Sequence, residues 1–400
     1  MGFHHKDFRE TSCWTCGKSS LILQAFLMRK PVYLDNNATT AVDPAVFEAM
    51  VPWLRDRYGN PSSIYEAGRE ARDAVEDSRA RVATLLDARP EEIFFTSCGT
   101  ESINTAILSA CALDPDRKRM ITSAVEHSAT LKLCDSLTRR GYHVVRLGVD
   151  KQGHISLDEL AEEIDEETCL VSLLWANNET GVLNPVEEIC GICHDKGVPL
   201  HLDAVQAVGK LPVSVQTPGL SFLSLSGHKL HAPKGIGGLF ASRRMRFTPL
   251  LRGSQEEGRR GGTENVASIV AMGFAAEQAS GFLDEEQTRI RSLRDRFELG
   301  VLDTIKGATV NGDREKRLPN TTNLAFEGIE AEGALMLLDQ AGVCCSAGSA
   351  CTAGSVSPSH VLQAMGLDAA HARASLRFSF GRFNTEEEAT AALQTLADVV

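Results

Sequence analysis

A chain of 400 residues, 43% of them apolar, is long enough to bury a large core and to divide into two domains. Its formal net charge of −12 leaves no basic footprint for a nucleic acid or an anionic membrane, and no run approaches the ~20 apolar residues of a membrane span. Eleven cysteines, an odd number without framework spacing, read as the reduced thiols of a cytoplasmic protein and not as a disulfide scaffold.

Residues 1–27 look foreign to the rest of the chain. They hold His4, His5, Cys13 and Cys16, only half of a zinc or iron motif, so the reading favoured over a metal site is an unstructured extension or an early start codon. The apolar run Leu21 to Met28 follows mixed charges and lacks a small-residue cleavage site, so export is not expected. From Met28 the chain reads Arg-Lys-Pro-Val-Tyr-Leu-Asp, a natural domain opening. Glu66 to Asp87 carries apolar residues at helical spacing. Strand-like runs come next at Ile93–Thr96, Met120–Val125, His143–Leu147, Cys169–Trp175, Pro199–Leu202 and Phe222–Ser226, most separated by helical stretches. Near-continuous apolar strands alternating with helices predict a mainly parallel sheet covered on both faces, with ligands beyond the carboxyl ends of its strands. A charged helix from Asp284 to Thr304 then leads into a smaller α/β segment that ends in an amphipathic helix, Thr385 to Val400.

The strand ends carry the chemistry. Thr96-Ser97-Cys98-Gly99-Thr100-Glu101-Ser102 opens a helix with small residues, a phosphate cup or an ordinary N-cap. His127 in Val125-Glu126-His127-Ser128 is a structural hydrogen-bonder or a working imidazole. Asn177-Asn178-Glu179-Thr180-Gly181 fits a plain turn equally well. Asp203, with Gln206 three residues on, puts a carboxylate at the end of an apolar strand, where a cation such as a pyridinium nitrogen would pair with it; a helix-start Asp is the alternative. Ser226-Gly227-His228-Lys229 places a lysine at a buried strand end, costly as a free charge but natural if bonded to an aldehyde. Lys234 follows Pro233 and leads through Gly235-Ile236-Gly237-Gly238 into another strand, which makes it the lesser candidate. Near the C-terminus, Ser346-Ala347-Gly348-Ser349-Ala350-Cys351-Thr352-Ala353-Gly354-Ser355 suspends one thiol among small residues, which predicts an exposed, movable nucleophile. Cys344 and Cys345 read as strand-end packing, Cys190 and Cys193 as core residues of one helix face, and Arg373 and Arg382 as surface charges.

In this order along one sheet, these motifs resemble the cysteine desulfurases of the NifS/IscS type, with the aspartate-aminotransferase-like fold type I of pyridoxal phosphate enzymes. The resemblance runs from Tyr33-Leu34-Asp35-Asn36-Asn37 to the C-terminal helix; Asn36-Asn37, Ser357-Pro358-Ser359-His360-Val361 and Ala369-Ala370-His371 are more similar to NifS proteins. It implies a large pyridoxal phosphate-binding α/β domain at 42–285 with a mainly parallel seven-stranded sheet. Residues 28–41 and 286–400 would form the smaller domain that carries the cysteine loop. It further implies that Lys229 binds pyridoxal 5′-phosphate covalently and moves the Cα proton. Asp203 would pair with the pyridine nitrogen, Gln206 with the phenolic oxygen, and His127 would stack on the ring and shuttle protons in catalysis. Gly99, Thr100, Ser226 and His228 would hold the phosphate, with Thr263 reaching that of a neighbouring subunit in a homodimer. Asn178 would lie near both the cofactor ring and the substrate carboxylate, and Arg377 and Asn37 would bind the substrate. Cys351 would take sulfur from L-cysteine as a persulfide, leave L-alanine, and pass the sulfur to an iron–sulfur scaffold protein or another acceptor. No resident metal is expected, although Cys351 would be a transient ligand of a nascent cluster. A selenocysteine lyase, a small-amino-acid aminotransferase and a non-catalytic scaffold with metal at Cys13/Cys16 and Cys190/Cys193 are the alternatives. Two positions depart from the family pattern: Cys98 stands where glycine is usual, and Ala347 where serine is common.

Overall fold

A computed structural model describes residues 31–347 and 358–400, so the expectations for the tail 1–27 and for Cys351 lie outside the described residues. Strand β1 (Val32–Tyr33) opens the fold and is followed by the seven strands of a large sheet. These are β2 (Ile93–Thr96), β3 (Arg119–Ser123), β4 (His143–Leu147), β5 (Thr168–Leu174), β6 (Leu200–Asp203), β7 (Leu220–Ser226) and β8 (Gly237–Ala241). The spatial order is β2-β8-β7-β6-β5-β3-β4. All neighbours are parallel except β8, which runs antiparallel to β2 and β7. Every residue of β5 and of β7 is buried, as apolar strands covered by helices on both faces require. Inside the sheet, buried His201 bridges Ser172 and Ser224, 2.8 Å to each hydroxyl.

The placing of β8 brings two strand ends close together. Gly237 pairs with Thr96 on one side and Ser226 on the other, so the carboxyl ends of β2 and β7 lie one strand apart. A side chain at Gly237 has no room, since its Cβ would lie 2.6 Å from the backbone of Cys98. This strand is the Gly235–Gly238 continuation noted in the sequence.

The expected charged helix near 284–304 is the second half of a longer rod. Helix Val266–Glu285 passes through a π turn, Glu286–Ile290, into helix Arg291–Thr304. By length and composition the rod could cross a membrane, yet it is a core element, packed against helices Glu66–Leu85 and Pro44–Arg55 with Ile269, Met272 and Ala276 buried. Over residues 266–276 the segment is apolar around most of its circumference, so it lacks the one-sided periodicity that marks a surface helix.

The second core gathers around β9 (Ala308–Val310), β10 (Thr321–Phe326), β11 (Val343–Cys344), β12 (Ser346–Ala347) and β13 (Ser375–Ser379). The antiparallel order is β12-β13-β10-β9, while β1 joins β11 in a parallel pair. Phe297 packs on Phe378 and Phe380, with centroids 4.8 and 5.6 Å apart. Arg382, read from sequence as a surface charge, is buried: its guanidinium lies over Phe282 at 4.4 Å and reaches Asp43 at 3.4 Å. Stacking on an aromatic face is what lets an arginine leave the surface here.

Buried Glu298 ties helix Arg291–Thr304 to the approach to β10, accepting from Arg317 at 2.6 and 2.9 Å and from the Thr322 hydroxyl at 2.7 Å. Glu298→Ala leaves the Arg317 guanidinium buried without its partner and should lower unfolding free energy by about 3–5 kcal/mol. Urea denaturation checks this, and a loss under about 1 kcal/mol would contradict it.

Candidate active site

Because six strands of the large sheet run parallel, their carboxyl ends face one side, and there a cavity of about 320 Å³ is lined by side chains from both cores. It brings together Asn37, Gly99, Thr100, His127, Asn178, Asp203, Gln206, Ser226, His228, Lys229 and Arg377. Of the described residues expected at the site, only Thr263 is elsewhere, beside Arg260 and Ser97 in a separate cavity of about 250 Å³.

One end of the cavity suits a phosphate. Helix Gly99–Leu113 begins there, and the first N–H groups of a helix have no partner inside it. Ser226 Oγ is buried and makes no hydrogen bond among the described residues. A Cβ on Gly99 would lie 2.9 Å from Val205 and 3.3 Å from the Ser226 side chain, so glycine keeps this cradle open. His228 bonds Thr39 through Nδ1 at 3.1 Å. Burial, with help from Lys229, Lys234 and Lys210, pushes its pKa down to about 4, which makes it a neutral imidazole at pH 7.

The middle suits a ring with a basic nitrogen. Asp203 is buried and accepts the Val205 N–H at 3.0 Å. Burial raises its pKa to about 6, against the lowering effects of that N–H and of Lys229. A pyridinium nitrogen would supply the compensating charge. His127 caps its own helix, Nδ1 accepting from Ala129 N at 3.1 Å, which fixes the ring plane. Burial, then Lys229 and His360, lower its pKa. The structural role weighed from sequence is therefore present, in a side chain that also lines the cavity.

Lys229 follows β7 in a single turn, Gly227–Lys229, and its Nζ donates to the carbonyls of Asn37 and of Ala38, the latter at 2.7 Å. Arg377 projects from the middle of β13; it donates to Asp35 Oδ1 at 2.6 Å and to the Asn178 carbonyl at 3.0 Å, and its buried Nε makes no hydrogen bond among the described residues. Orphaned Ser226 Oγ, the open cradle at Gly99, the desolvated Asp203 and the adjacent lysine together fit pyridoxal 5′-phosphate.

Asp35 belongs to the opening sequence motif without a role evident there, and its place as partner of Arg377 emerges only from the fold. Glu126 and Glu179 were hidden beside His127 and inside a turn. Both are buried, and burial lifts their pKa values to about 8 and about 7. Glu179 accepts from Ser359 at 2.5 Å, and Glu126 from Ser123 and from the Leu174 N–H. Cys98 lines the cavity, half-buried, while Cys190 and Cys193 are wholly buried. No metal-binding cluster occurs among the described residues.

Glu126 offers a pH test in the cofactor-free protein. Its folded pKa lies above its ordinary value of 4.5, so the stability it contributes is complete below pH 4.5 and is lost as pH rises towards about 8. Glu126→Gln keeps the acceptor and removes the titration. Relative to wild type, the variant should therefore gain at least about 1 kcal/mol between about pH 5 and about pH 8.5. A stability difference that stays flat across that range would contradict the assignment.

The sequence model of the class-V aminotransferases matches residues 32–391. "Cysteine desulfurase NifS" of Azotobacter vinelandii is 49% identical over 371 residues, 92% of each chain. Among solved structures, one described as a "NIFS-LIKE PROTEIN" has a TM-score of 0.87 at 37% identity, covering 92% of this chain and 99% of its own. Another, "SspA in complex with cysteine", has a TM-score of 0.78 at 34% identity over 88% of this chain and 99% of its own. Sequence, fold and site agree: the chain belongs to the class-V aminotransferase family, among its pyridoxal phosphate-dependent cysteine desulfurases.

Proposed function

We propose that this desulfurase takes sulfur from L-cysteine onto Cys351 and leaves L-alanine. The observation that carries the reading is the convergence of Lys229, Asp203 and Arg377 on one cavity whose far end is shaped for a phosphate. When bound, pyridoxal 5′-phosphate supplies an electron sink for the bonds at the substrate Cα.

The chain's own groups do the rest. Lys229 Nζ would hold the cofactor through its aldehyde and, when free, would be the base that moves the Cα proton. Asp203 keeps the ring nitrogen protonated, since its buried carboxylate is better paired than alone. Arg377 offers the planar fork that a carboxylate prefers, and Asp35 holds that fork in orientation. In the sulfur step the Cys351 sulfur bonds to the substrate sulfur as the Cβ–S bond breaks, and Cβ gains a proton. One L-cysteine and one thiol thus give one L-alanine and one persulfide.

Its neighbours are poor rivals. Burial raises the Cys344 thiol, and burial with Asp35 pushes Cys345 to about 12, so both stay protonated while the thiolate is the nucleophile. The persulfide then passes to an acceptor, for which an iron–sulfur scaffold protein is our reading. A homodimer is part of the proposal: Thr263 lies away from its own cavity, and Leu54, Tyr58, Ile64 and Tyr65 present exposed apolar side chains that a second copy would cover. Free thiols at all eight described cysteines support a reducing, cytoplasmic setting.

Cys351→Ala should still bind pyridoxal phosphate and L-cysteine but lose at least ~100-fold in sulfide release, whereas Cys344→Ala and Cys345→Ala keep most of it. Sulfide and alanine, measured together with a reductant present, should appear in equal amounts in wild type. Near-normal sulfide from Cys351→Ala would contradict the proposal.

A further inference from the structure

Beyond that reading, the geometry points to Lys210 as the positioning residue that sets which way the Gln206 amide faces. It thereby presents the amide's amino group to the cofactor beside Lys229. The inference rests on the pyridoxal phosphate reading of the cavity.

Lys210 is buried, 5% exposed, in the turn after β6, and no step of the proposed chemistry uses it. Its Nζ donates to Gln206 Oε1 at 2.7 Å, to the Gln206 carbonyl at 3.2 Å and to Asn37 Oδ1 at 3.4 Å. A lysine ammonium has three donors and no acceptor, so these three oxygens satisfy it fully. The consequence falls on Gln206. With its oxygen held by Lys210, its Nε2 must turn the other way, where it donates to the Asn37 carbonyl at 2.9 Å. The reversed amide would set N–H donors against the ammonium, and in a buried site that arrangement is strongly disfavoured.

The carbonyl that receives Gln206 Nε2 also receives Lys229 Nζ. The amide's amino group is therefore a neighbour of the nitrogen that binds the cofactor aldehyde. In pyridoxal the phenolic oxygen is on the ring carbon next to the one bearing the aldehyde. A donor beside Lys229 is thus placed to meet that oxygen, and an acceptor there would repel it. Asn37 is itself held, Oδ1 by Asn320 at 3.1 Å and Nδ2 by Thr321 at 2.8 Å, so it cannot turn to accommodate a reversed Gln206. The main chain completes the clamp: the Lys210 carbonyl accepts from Gln287 in the π turn at 2.6 Å. Burial and the Lys229 charge lower the Lys210 pKa to about 7, while buried Glu286 opposes that shift. A lysine kept here at that disadvantage is consistent with a specific task.

The test is a double-mutant cycle read as cofactor affinity, titrating each apoprotein with pyridoxal 5′-phosphate and following the visible absorption band. Binding by wild type tests the cofactor reading by itself. Lys210→Met should raise the dissociation constant about tenfold, as should Gln206→Ala; on the Gln206→Ala background, Lys210→Met should add less than about twofold. Lys210→Gln, neutral but still able to donate to Gln206 Oε1, should lose less than about threefold. If Lys210→Met does not fold, as thermal melts of the apoproteins would reveal, Lys210→Gln decides the matter. The inference is overturned by an unchanged affinity in Lys210→Met, by the same tenfold loss on both backgrounds, or by a tenfold loss in Lys210→Gln.

Discussion

Asp203 ends a strand inside the sheet, 3% exposed, with the Val205 N–H donating to its carboxylate. Ionising it there is costly unless a cation arrives, and the raised pKa of about 6 expresses that cost. The parallel arrangement around it puts the carboxyl ends of β6 and β7 side by side, so Lys229 and the Ser226 hydroxyl emerge next to the same carboxylate. The rest of the cavity depends on this pairing of strand direction with an unmet charge. A helix start and a glycine cradle lie at one end, and the Arg377–Asp35 pair lies at the other.

Electrostatics around the cavity keep most titratable groups neutral near pH 7. Burial depresses His127 and pushes His228 to about 4 and His201 to about 3, while it raises Glu126 to about 8. Protonated Glu126 matters to Asp203, since a second carboxylate charge nearby would raise the Asp203 pKa further. Among the groups the proposal relies on as charges are Lys229 for the aldehyde, Asp203 for the ring nitrogen and Arg377 for the substrate carboxylate. Low dielectric strengthens each of these interactions once water is displaced.

Much of this was legible in the sequence because strand ends carry local signals. Ser226-Gly227-His228-Lys229 and Asp203 follow apolar runs whose burial could be read directly, and most of the other lining residues could be nominated by motif. Elements without local signals were harder to read. Helix Val266–Glu285 carries no charged residue before Glu277, so its first half shows no polar face. Arg382 carries a surface residue's charge, and only the approach of Phe282 and Asp43 explains its burial. Asp35 acts through Arg377, 342 positions away in the chain. Separations of that size carry no sequence pattern, so such partners come to light only after folding.

The central claim is that the cavity binds its cofactor covalently through Lys229, although two other lysines, Lys210 and Lys234, are close enough to influence His228 electrostatically. Borohydride reduction of the holoprotein followed by peptide mapping distinguishes them. The account predicts a pyridoxyl group on Lys229 alone, at one per chain. A label on Lys210 or Lys234, or none on Lys229, would contradict it.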